Sequence, residues 1–346
     1  MKASNWVSGL LAAVAMVALG ASASAQTDHE KQLYDAAKAE GSVTWYSGIL
    51  DQPICDEVGK AFTAKFPGIQ VNAIKTTSQV AFQRVLQDMK AGQVQSDVLT
   101  TTDIGHMVFL KSKDALVHYV PEAEAQTVEA LQKVDPDGYY HTGWVGLVAI
   151  LYNTAKVKEA DAPKDWPDLI DPKWQNQITV GSPNFSGMVG VWTVAMEDRY
   201  GWDYFKKLNA LNPQIGRSID DAVTVLNSGE RMVAMGNPAS GLRSAAKGNP
   251  VGVIYPASGT LMVISPSGII KGTQHPNAAK LFMEFIDGPE YSKILAENLE
   301  QPLRPDIPPP AGARSLADLK LFAPNAEQIS EKLPPNKTKW RDTFGM

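Results

Sequence analysis

Residues 69–101 read IQVNAIKTTSQVAFQRVLQDMKAGQVQSDVLTT, and this stretch decides the fold. Its first six residues alternate apolar and polar side chains, which is the period of a β-strand. Apolar residues then recur at helical spacing from Phe82 to Met89, and Gly92 ends that pattern. Residues 97–101, with Val98 and Leu99 at their centre, are predicted to form a second strand. Strand, helix and strand in this order predict parallel strands in a doubly wound α/β sheet.

The same alternation continues in both directions from that stretch. Residues 143–151 are the most apolar segment of the later chain, but they are too few to cross a membrane and are predicted to form a buried strand. Residues 301–346 contain proline runs at 308–310 and 334–335 and are predicted to be partly irregular, packing over the surface. Further helices are predicted at 30–39, 52–65, about 187–196, 220–226, 276–286 and 291–299, and further strands at 42–47, 178–180, 231–235, 251–255 and 260–264.

The N-terminus predicts export. Lys2 precedes an apolar run of about ten residues, and the small residues at 23–25 form an A-x-A cleavage pattern. Residues 1–25 are therefore predicted to be a cleaved signal peptide, because a membrane-spanning helix needs roughly 20 apolar residues. About 320 residues remain, which is more than a single hydrophobic core usually supports, so two lobes are expected.

Composition and charge exclude several classes of partner. An apolar fraction of 44% and a charged fraction of 20% are typical of a globular protein. The net charge is −5, and the predicted signal peptide carries one lysine and no acid, which leaves −6 for the mature chain. This acidic balance argues against nucleic acid or an anionic membrane as a partner. The single cysteine, Cys55, precludes an intramolecular disulfide and is predicted to pack in the core.

Candidate binding residues follow the ends of the predicted strands, where open α/β sheets bind their ligands. These residues are small, hydroxylated or glycine, and they offer hydroxyl groups and backbone N–H groups to an oxygen-rich ligand. A helix N-terminus among them favours an anion. The alternative is that such residues are simply those that turns use. The candidates are Ser47, Gly48, Thr101, Thr102, Asp103, Ser186, Gly187, Asn237, Ser240 and Tyr255.

Two arginines lie near these predicted loops. Arg217 precedes the predicted helix at 220–226 and is a candidate to clamp a carboxylate or phosphonate through two parallel hydrogen bonds. Arg243 follows Ser240 and is interpreted as a surface arginine. Among the aromatic residues at strand ends, Tyr255 is the best candidate for a ligand contact, although core packing is the commoner role of such residues.

Six segments together carry a family resemblance. The chain resembles the periplasmic substrate-binding proteins of ABC importers, and among these the group that includes binding proteins for ferric iron, phosphonates, sugar phosphates and polyamines. The segments lie in family order over nearly the whole mature chain. They are VTWYSG at 43–48, SDV at 96–98, YNT at 152–154, PNFSG at 183–187, LNSGE at 226–230 and HPNAAKLF at 275–282.

The resemblance implies a type II periplasmic binding fold with two α/β lobes joined by hinge strands that close on a ligand. We expect one lobe at 26–105 with about 258–300, a second at about 106–257, and a C-terminal segment at 301–346 that packs on both. The implied partners are a small-molecule ligand and the ABC permease of the inner membrane, and the implied location is the periplasm. We expect a monomer with no cofactor and no direct insertion into the membrane.

At the positions where ferric members of the family carry iron ligands, this sequence has other residues, which argues against direct iron binding. The resemblance places a histidine where Leu50 stands, a glutamate near Thr102, and adjacent tyrosines where 239–240 read Ala-Ser. Fe(III) prefers phenolate or carboxylate oxygens, so no metal site is predicted, although iron inside a chelate stays an alternative. The five histidines show no close metal-ligand spacing.

The anion-binding half of the family's site is retained in this sequence. Ser186, Gly187 and Asn237 match its positions, and Arg217 falls about where the family has another polar contact for the anion. The ligand is therefore predicted to be a small organic anion, such as a carboxylate, phosphonate or sugar phosphate. An amino group on that ligand could meet Asp103.

Two further function classes are weighed. Ser244 and Lys247 match the S-x-x-K pattern of penicillin-interacting serine hydrolases, but the S-x-N triplet at 182–184 precedes them, in the opposite order to that family. Because motifs this short arise by chance, the protein is predicted not to be an enzyme. A ligand-binding subunit of a periplasmic sensor would need the same closing clamp, so the sequence does not separate sensing from transport.

Overall fold

The computed structural model describes residues 27–345, so the predicted signal peptide at 1–25 lies outside the described residues. Within the described range, no helix is both long and apolar enough to cross a membrane. The strands are β1 (Ser42–Ser47), β2 (Gln70–Lys75), β3 (Val98–Thr100), β4 (His141–Asn153), β5 (Ile178–Val180), β6 (Gln214–Ile215), β7 (Val233–Gly236), β8 (Val251–Ile254), β9 (Thr260–Ile269) and β10 (Leu321–Phe322). The α-helices are α1 (Asp28–Ala37), α2 (Gln52–Lys65), α3 (Ser78–Ala91), α4 (Ile104–Ser112), α5 (Gly187–Tyr200), α6 (Asp203–Ala210), α7 (Asp221–Ser228), α8 (Pro238–Ala246), α9 (Pro276–Ile286), α10 (Pro289–Glu297) and α11 (Ala326–Phe344).

The strands form two mixed sheets that share strand β4. The order along the hydrogen-bonded path is β2-β1-β3-β9-β4-β7-β5-β6, with β10 on β9 and β8 on β4. The pairs β1–β2 and β1–β3 are parallel in one lobe, as β5–β7 and β5–β6 are in the other. The predicted class, a two-lobed type II periplasmic binding fold with a doubly wound sheet in each lobe, is confirmed.

Two long antiparallel strands join the lobes. Residues 141–148 of β4 pair with β9, and residues 149–152 continue into pairs with β7 in the second lobe. The other end of β9, at 267–269, pairs with β3 in the first lobe. Every residue of β4 is buried, which explains why this stretch of sequence is almost uniformly apolar rather than alternating.

The stretch that decides the fold forms the predicted elements. Helix α3 begins after Thr77, whose side-chain oxygen accepts the backbone N–H of Val80 at 3.3 Å. It ends at Gly92, which adopts a left-handed φ of 69° that a glycine reaches without steric strain. Cys55 packs in the core at 0% exposure, as predicted.

The C-terminal segment at 301–346 is largely irregular up to Asn325, and both prolines at 334–335 lie inside the 19-residue helix α11 that follows. Proline lacks an N–H and clashes with the preceding turn, so two prolines in a row normally end a helix. Here a capping box of Asn325 and Gln328 fixes the first turn. Buried Leu333 and Trp340 on either side of the prolines then hold the helix against the protein. Local sequence does not reveal this tertiary packing.

The predicted lobe boundaries stay predictions. The first, near 105–106, falls inside α4, and the other, near 257–258, falls in the loop between β8 and β9. Helix α4 contacts β9, and α11 packs on both α5 and α4, so the C-terminal helix contacts elements associated with both sheets.

A buried carboxylate links the stability of the protein to pH. Glu124 Oε1 lies 3.0 Å from His141 Nδ1 and accepts the Lys133 N–H at 3.0 Å. Burial raises the pKa of Glu124, but these hydrogen bonds outweigh burial and leave its pKa below the ordinary value of 4.5. The stabilisation from this carboxylate is therefore complete above about pH 4.5 and is lost as pH falls through the lower folded-state pKa.

We expect Glu124→Gln to lower the free energy of unfolding by about 2 kcal/mol at pH 7, because it removes a charge-assisted hydrogen bond. Urea unfolding at several pH values measures this difference, which should shrink below pH 4 as the wild-type carboxylate takes up its proton. The exposed Glu129→Gln is the control. A constant difference down to pH 3 would contradict the assignment.

Candidate ligand-binding cleft

The candidate cleft lies where strand ends of the two lobes face each other. Thr102 follows β3 and lies against Gly187, the first residue of α5, such that a Cβ on Gly187 would be 3.3 Å from Thr102 Oγ1. A pocket of about 240 Å³ lies on one side of this contact and a pocket of about 740 Å³ on the other. The first, here the Arg243 pocket, is lined by Leu50, Asp51, Trp144, Asp220, Asn237, Arg243 and Glu300. The second, here the Lys75 pocket, is lined by Gly48, Lys75, Ser78, Asp103, His106 and Lys337.

Helix α5 brings unused backbone donors to both pockets. Its N-cap is Ser186, whose Oγ accepts the N–H of Val189 at 3.5 Å. The N–H groups of Gly187 and Met188 donate to no other group among the described residues, as expected for the first turn of a helix. Such groups, with the positive end of the helix dipole, suit a negatively charged oxygen. Ser186 and Gly187, predicted from sequence, therefore lie together at the cleft.

Helices α7 and α8 also begin at the Arg243 pocket, but their ends differ. Asn237 caps α8, with its Oδ1 accepting the Ala239 N–H at 3.0 Å. The first turn of α7 is already occupied by Asp221, which accepts the N–H groups of Arg217 at 2.7 Å and Ser218 at 3.0 Å. The hydrogen bonds from Ser218 lower the pKa of Asp221 most, so this end already carries an anion.

The first lobe presents a wall of hydroxyl groups at the ends of β1 and β3. Ser78 Oγ accepts the Thr102 N–H at 2.9 Å, lies 3.0 Å from Thr102 Oγ1 and donates to Gly48 O at 3.3 Å. A Cβ at Gly48 would fall 2.3 Å from Ser78 Oγ, so this close approach requires glycine. Gly48 and Thr102 are thus fixed at the Lys75 pocket, and Ser78 joins them.

Two predicted residues, Ser47 and Thr101, point away from the cleft. Both are 0% exposed, and Thr101 Oγ1 hydrogen-bonds His106 Nδ1 at 2.8 Å. Ser47 ends β1 and Thr101 directly follows β3, and because side chains alternate sides along an extended chain, their neighbours Gly48 and Thr102 face the cleft instead. Thr101 can act on the site only through its contacts with His106 and with the backbone N–H of Asp103, which it accepts at 3.2 Å.

Asp103 lies at the Lys75 pocket with a partly engaged carboxylate. It caps α4, and its Oδ1 accepts the Gly105 N–H at 2.9 Å. Its Oδ2 lies 3.7 Å from His106 Nε2. Burial lowers the pKa of His106, which favours the neutral ring near pH 7. Asp103 therefore lies at the mouth of this pocket without a full counter-ion.

Arg243 lines the cleft instead of lying free on the surface. Its guanidinium donates to Glu300 Oε1 at 2.6 Å and to Ser240 Oγ at 3.1 Å, and Ser240 in turn donates to Asp220. Arg243 belongs to α8, whereas Glu300 follows α10, which packs on α2 of the first lobe. Burial raises the pKa of Glu300 although Arg243 pairs with it. The predicted Ser240 acts here by orienting Arg243.

Arg217 and Phe185 form the rim of the cleft. Phe185 is 62% exposed, and the guanidinium carbon of Arg217 lies 5.0 Å from the centre of its ring. Arg217 is exposed and does not line either pocket. Tyr255 lies away from both pockets, and its hydroxyl accepts the N–H of Arg314 at 3.4 Å. The structure thus brings six of the eleven predicted residues to the two pockets and leaves five outside their linings, namely Ser47, Thr101, Arg217, Ser240 and Tyr255.

Two lysines give the Lys75 pocket its positive charge. Lys75 Nζ donates to Ile49 O at 3.0 Å, and burial lowers the pKa of Lys75. Lys337 comes from α11 and forms no ion pair with any residue between 27 and 345. The positive end of α5 faces the same space, so this side of the cleft is suited to an anionic group.

The structure also bears on two other chemistries that the sequence raised, metal binding and serine hydrolysis. Within the part of the chain that is described, no three His, Cys, Asp or Glu side chains come together in a way that could hold a metal ion. Ser244 is buried, donates to Asn227 Oδ1 at 3.0 Å and accepts from Asn249 Nδ2 at 3.1 Å. Lys247, its partner in the S-x-x-K pattern, is exposed at the C-cap of α8.

Sequence reasoning missed Ser78, Glu300 and Lys337 as cleft residues. Ser78 lies in the first turn of a helix that follows a strand, and a serine at such a position is the signal that could have found it. Glu300 and Lys337 come from the C-terminal quarter, and no local pattern marks them. Only the fold brings them to the cleft.

Comparison with known proteins places this geometry in a family. A family model described as bacterial extracellular solute-binding protein matches residues 95–332. A protein of Salmonella typhimurium, provisionally named a 2-aminoethylphosphonate-binding periplasmic protein, is 23% identical over 320 residues, which cover 87% of this chain and 88% of the relative. Iron uptake protein A1 of Synechocystis is 24% identical over 313 residues, covering 83% of this chain and 84% of that protein.

Solved structures of the same fold agree with this placement. Iron-bound HitA of Pseudomonas aeruginosa superposes with a TM-score of 0.74 at 23% identity, covering 87% of this chain and 99% of HitA. The periplasmic binding protein AfuA of Actinobacillus pleuropneumoniae, with fructose-6-phosphate bound, superposes with a TM-score of 0.73 at 22% identity, covering 88% and 98%. These likenesses establish the fold. The family model, which matches more than half of the residues, shows that the chain belongs to the bacterial extracellular solute-binding proteins.

Proposed function

We propose that the protein is the periplasmic solute-binding subunit of an ABC importer and that it captures a small organic anion in the interlobe cleft. One observation carries this proposal. The unpaired N–H groups of Gly187 and Met188 open onto the cleft directly opposite Thr102 of the other lobe. A carboxylate, phosphonate or phosphate oxygen placed there would contact both lobes at once.

Charges around this point support an anionic group. Lys75 and Lys337 line the larger pocket, and the hydroxyl group of Thr102 offers an additional donor. Asp103 stands at the same mouth, so an amino or hydroxyl group on the solute has an acceptor beside the anion site. The relative named for 2-aminoethylphosphonate supports a solute with both kinds of group.

Side chains at the cleft support an organic anion over bare ferric ion. Leu50 lines the Arg243 pocket at 3% exposure, and Thr102 lines both pockets. The family resemblance puts iron ligands at or near these two positions, where an alkyl chain and a hydroxyl group stand instead. Relatives named for iron keep a ferric chelate as the competing solute, because the carboxylates of a chelate could meet the same N–H groups.

Lobe closure provides the mechanism of capture. The solute would stabilise the closed form by the contacts that it makes to both lobes and does not make in the open form. Strands β4 and β9 join the lobes and would absorb the change. The importer would then recognise the closed form, and a solute that touched one lobe alone would not shift the population.

We expect Ser186→Leu and Asn237→Leu each to weaken binding of the preferred anion at least tenfold, because each places an alkyl chain beside the anion site. Each loses one helix cap, which lowers the free energy of unfolding by only about 1 kcal/mol. Isothermal titration calorimetry with phosphonates, sugar phosphates, carboxylates and ferric citrate measures the affinity.

Ser315→Leu is the matched control, since Ser315 caps a short helix far from the cleft. It should bind as the wild type does. Unchanged affinity in both cleft variants would remove the assignment of the site, and tight binding of bare ferric ion by the wild type would contradict the proposed solute class.

A second test uses the charge of Glu300. We expect Glu300→Gln to tighten anion binding about threefold or more, because it removes a negative charge from the cleft wall and leaves the charge of Arg243 uncompensated. Since burial raises the pKa of Glu300, wild-type affinity should rise as pH falls toward that raised value, above the 4.5 of an ordinary glutamate. The variant should lack this rise.

Titration calorimetry between pH 7.5 and 5 measures how the affinity of the wild type and of Glu300→Gln depends on pH. The solute must be one whose own charge stays constant over this range. Glu297→Gln, on the exterior of α10, is the charge-matched control. Weaker anion binding by Glu300→Gln would show that the pair with Arg243 is needed to shape the cleft.

A further inference from the structure

A third cavity adjoins the proposed anion site and is apolar. It lies beneath the C-terminal helix α11 and has a volume of about 290 Å³. We call it the Leu333 cavity. Its apolar walls come from the first lobe, the second lobe, the joining strand β9 and α11, and they comprise Ile104, Val191, Met262, Val263, Ile329 and Leu333.

The packing of α11 forms this cavity. Leu333 lies so close to α5 that a Cβ on Gly190 would be 2.8 Å from its Cδ1. The six apolar wall residues are each less than 10% exposed, whereas Ala130, Ala323 and Asn325 at the edge are exposed, so the cavity is set into the protein and is open on one side. A cavity of roughly 150 Å³ lined by aliphatic side chains already holds benzene. The Leu333 cavity therefore has room for a substituted ring or a short hydrocarbon chain.

The mouth of the cavity is polar and coincides with the proposed anion site. Thr102 and Gly187, which meet at the cleft, also line the Leu333 cavity. Lys337 stands at the same mouth, without an ion pair to a described residue, and Asp103 stands beside it. An oxyanion at the N–H group of Gly187 would have Lys337 as its cation, and the rest of the molecule would point into apolar surroundings.

We propose that the Leu333 cavity receives the apolar body of the solute, so that the protein selects organic anions that carry a ring or a short hydrocarbon chain. This inference rests on the proposed function and adds the solute class to it. The complementarity is twofold: charge at Lys337 and Gly187, and apolar surface behind them. Burial of a ring in such a cavity contributes affinity that a methyl group cannot supply.

Matched pairs of ligands test the inference. We expect the wild type to bind phenylphosphonate at least ten times more tightly than methylphosphonate, and benzoate at least ten times more tightly than acetate. Each pair shares its head group, so the ratio reports the apolar body alone. Titration calorimetry on the mature chain at pH 7.5 measures all four affinities.

Two variants fill the cavity from its accessible edge. Ala326→Phe acts from α11, and Ala130→Phe acts from an exposed position between α4 and β4, so one remains informative if the other folds poorly. In both, the aryl-to-methyl ratio should fall below about three while methylphosphonate and acetate bind within twofold of the wild type. Ala125→Phe, exposed and outside the cavity, is the matched control and should keep the wild-type ratio.

Lys337→Met tests the contact with the anionic head group of the ligand separately from the contact with its apolar body. It should weaken both members of each pair about equally and leave the ratio unchanged. The inference is overturned if the wild type shows an aryl-to-methyl affinity ratio near one, or if both cavity-filling variants keep the wild-type ratio. In either case the proposed function still stands if methylphosphonate or acetate binds. Binding of no anion from either pair or from the wider solute panel overturns both.

Discussion

The pairing of β4 with β9 is the constraint on which the rest of the structure depends. Because β4 pairs first with β9 and then with β7 and β8, one unbroken strand serves both sheets. The strand ends of the two lobes are thereby aimed at a common cleft. Gly146 lies in this strand where α5 passes over it, and a Cβ there would be 2.6 Å from the Met188 methyl group. The same pairing thus sets the position of the α5 N-terminus.

Charge is distributed unevenly within that cleft, although the whole chain is acidic. The Arg243 pocket contains Asp51, Asp220 and Glu300 around a single arginine, whereas the Lys75 pocket has two lysines and the Leu333 cavity is apolar. Thr102 and Gly187 stand where the three spaces meet. A solute at this junction experiences cations on one side, acids on another and hydrocarbon behind. Selectivity would then arise from matching all three, and affinity from the interactions that form only when the lobes close.

Sequence patterns predicted the elements that have strong periodicity and clear ends. Helix α3, with its cap and terminal glycine, and strand β4, with its continuous apolar run, are of this kind. Helix α8 was not predicted, because its sequence of Pro, Ser and Gly resembles a loop until Asn237 is recognised as a cap with proline in the first turn. The prolines at 334–335 indicate irregular structure locally, whereas tertiary packing holds them inside helix α11. At the site, residues after strands were predictable, whereas Glu300 and Lys337 depend on distant chain segments.

The central claim is that backbone N–H groups of α5, and no metal-binding side chains, hold the anionic group of the solute. Amide NMR of the isotopically labelled mature protein tests this most directly, with a binding anion titrated in. The account predicts that the Gly187 and Met188 amide protons shift downfield by more than those of α6, which is remote from the cleft, as expected for new hydrogen bonds to an oxyanion. Saturation with the anion while both resonances stay in place would contradict the account.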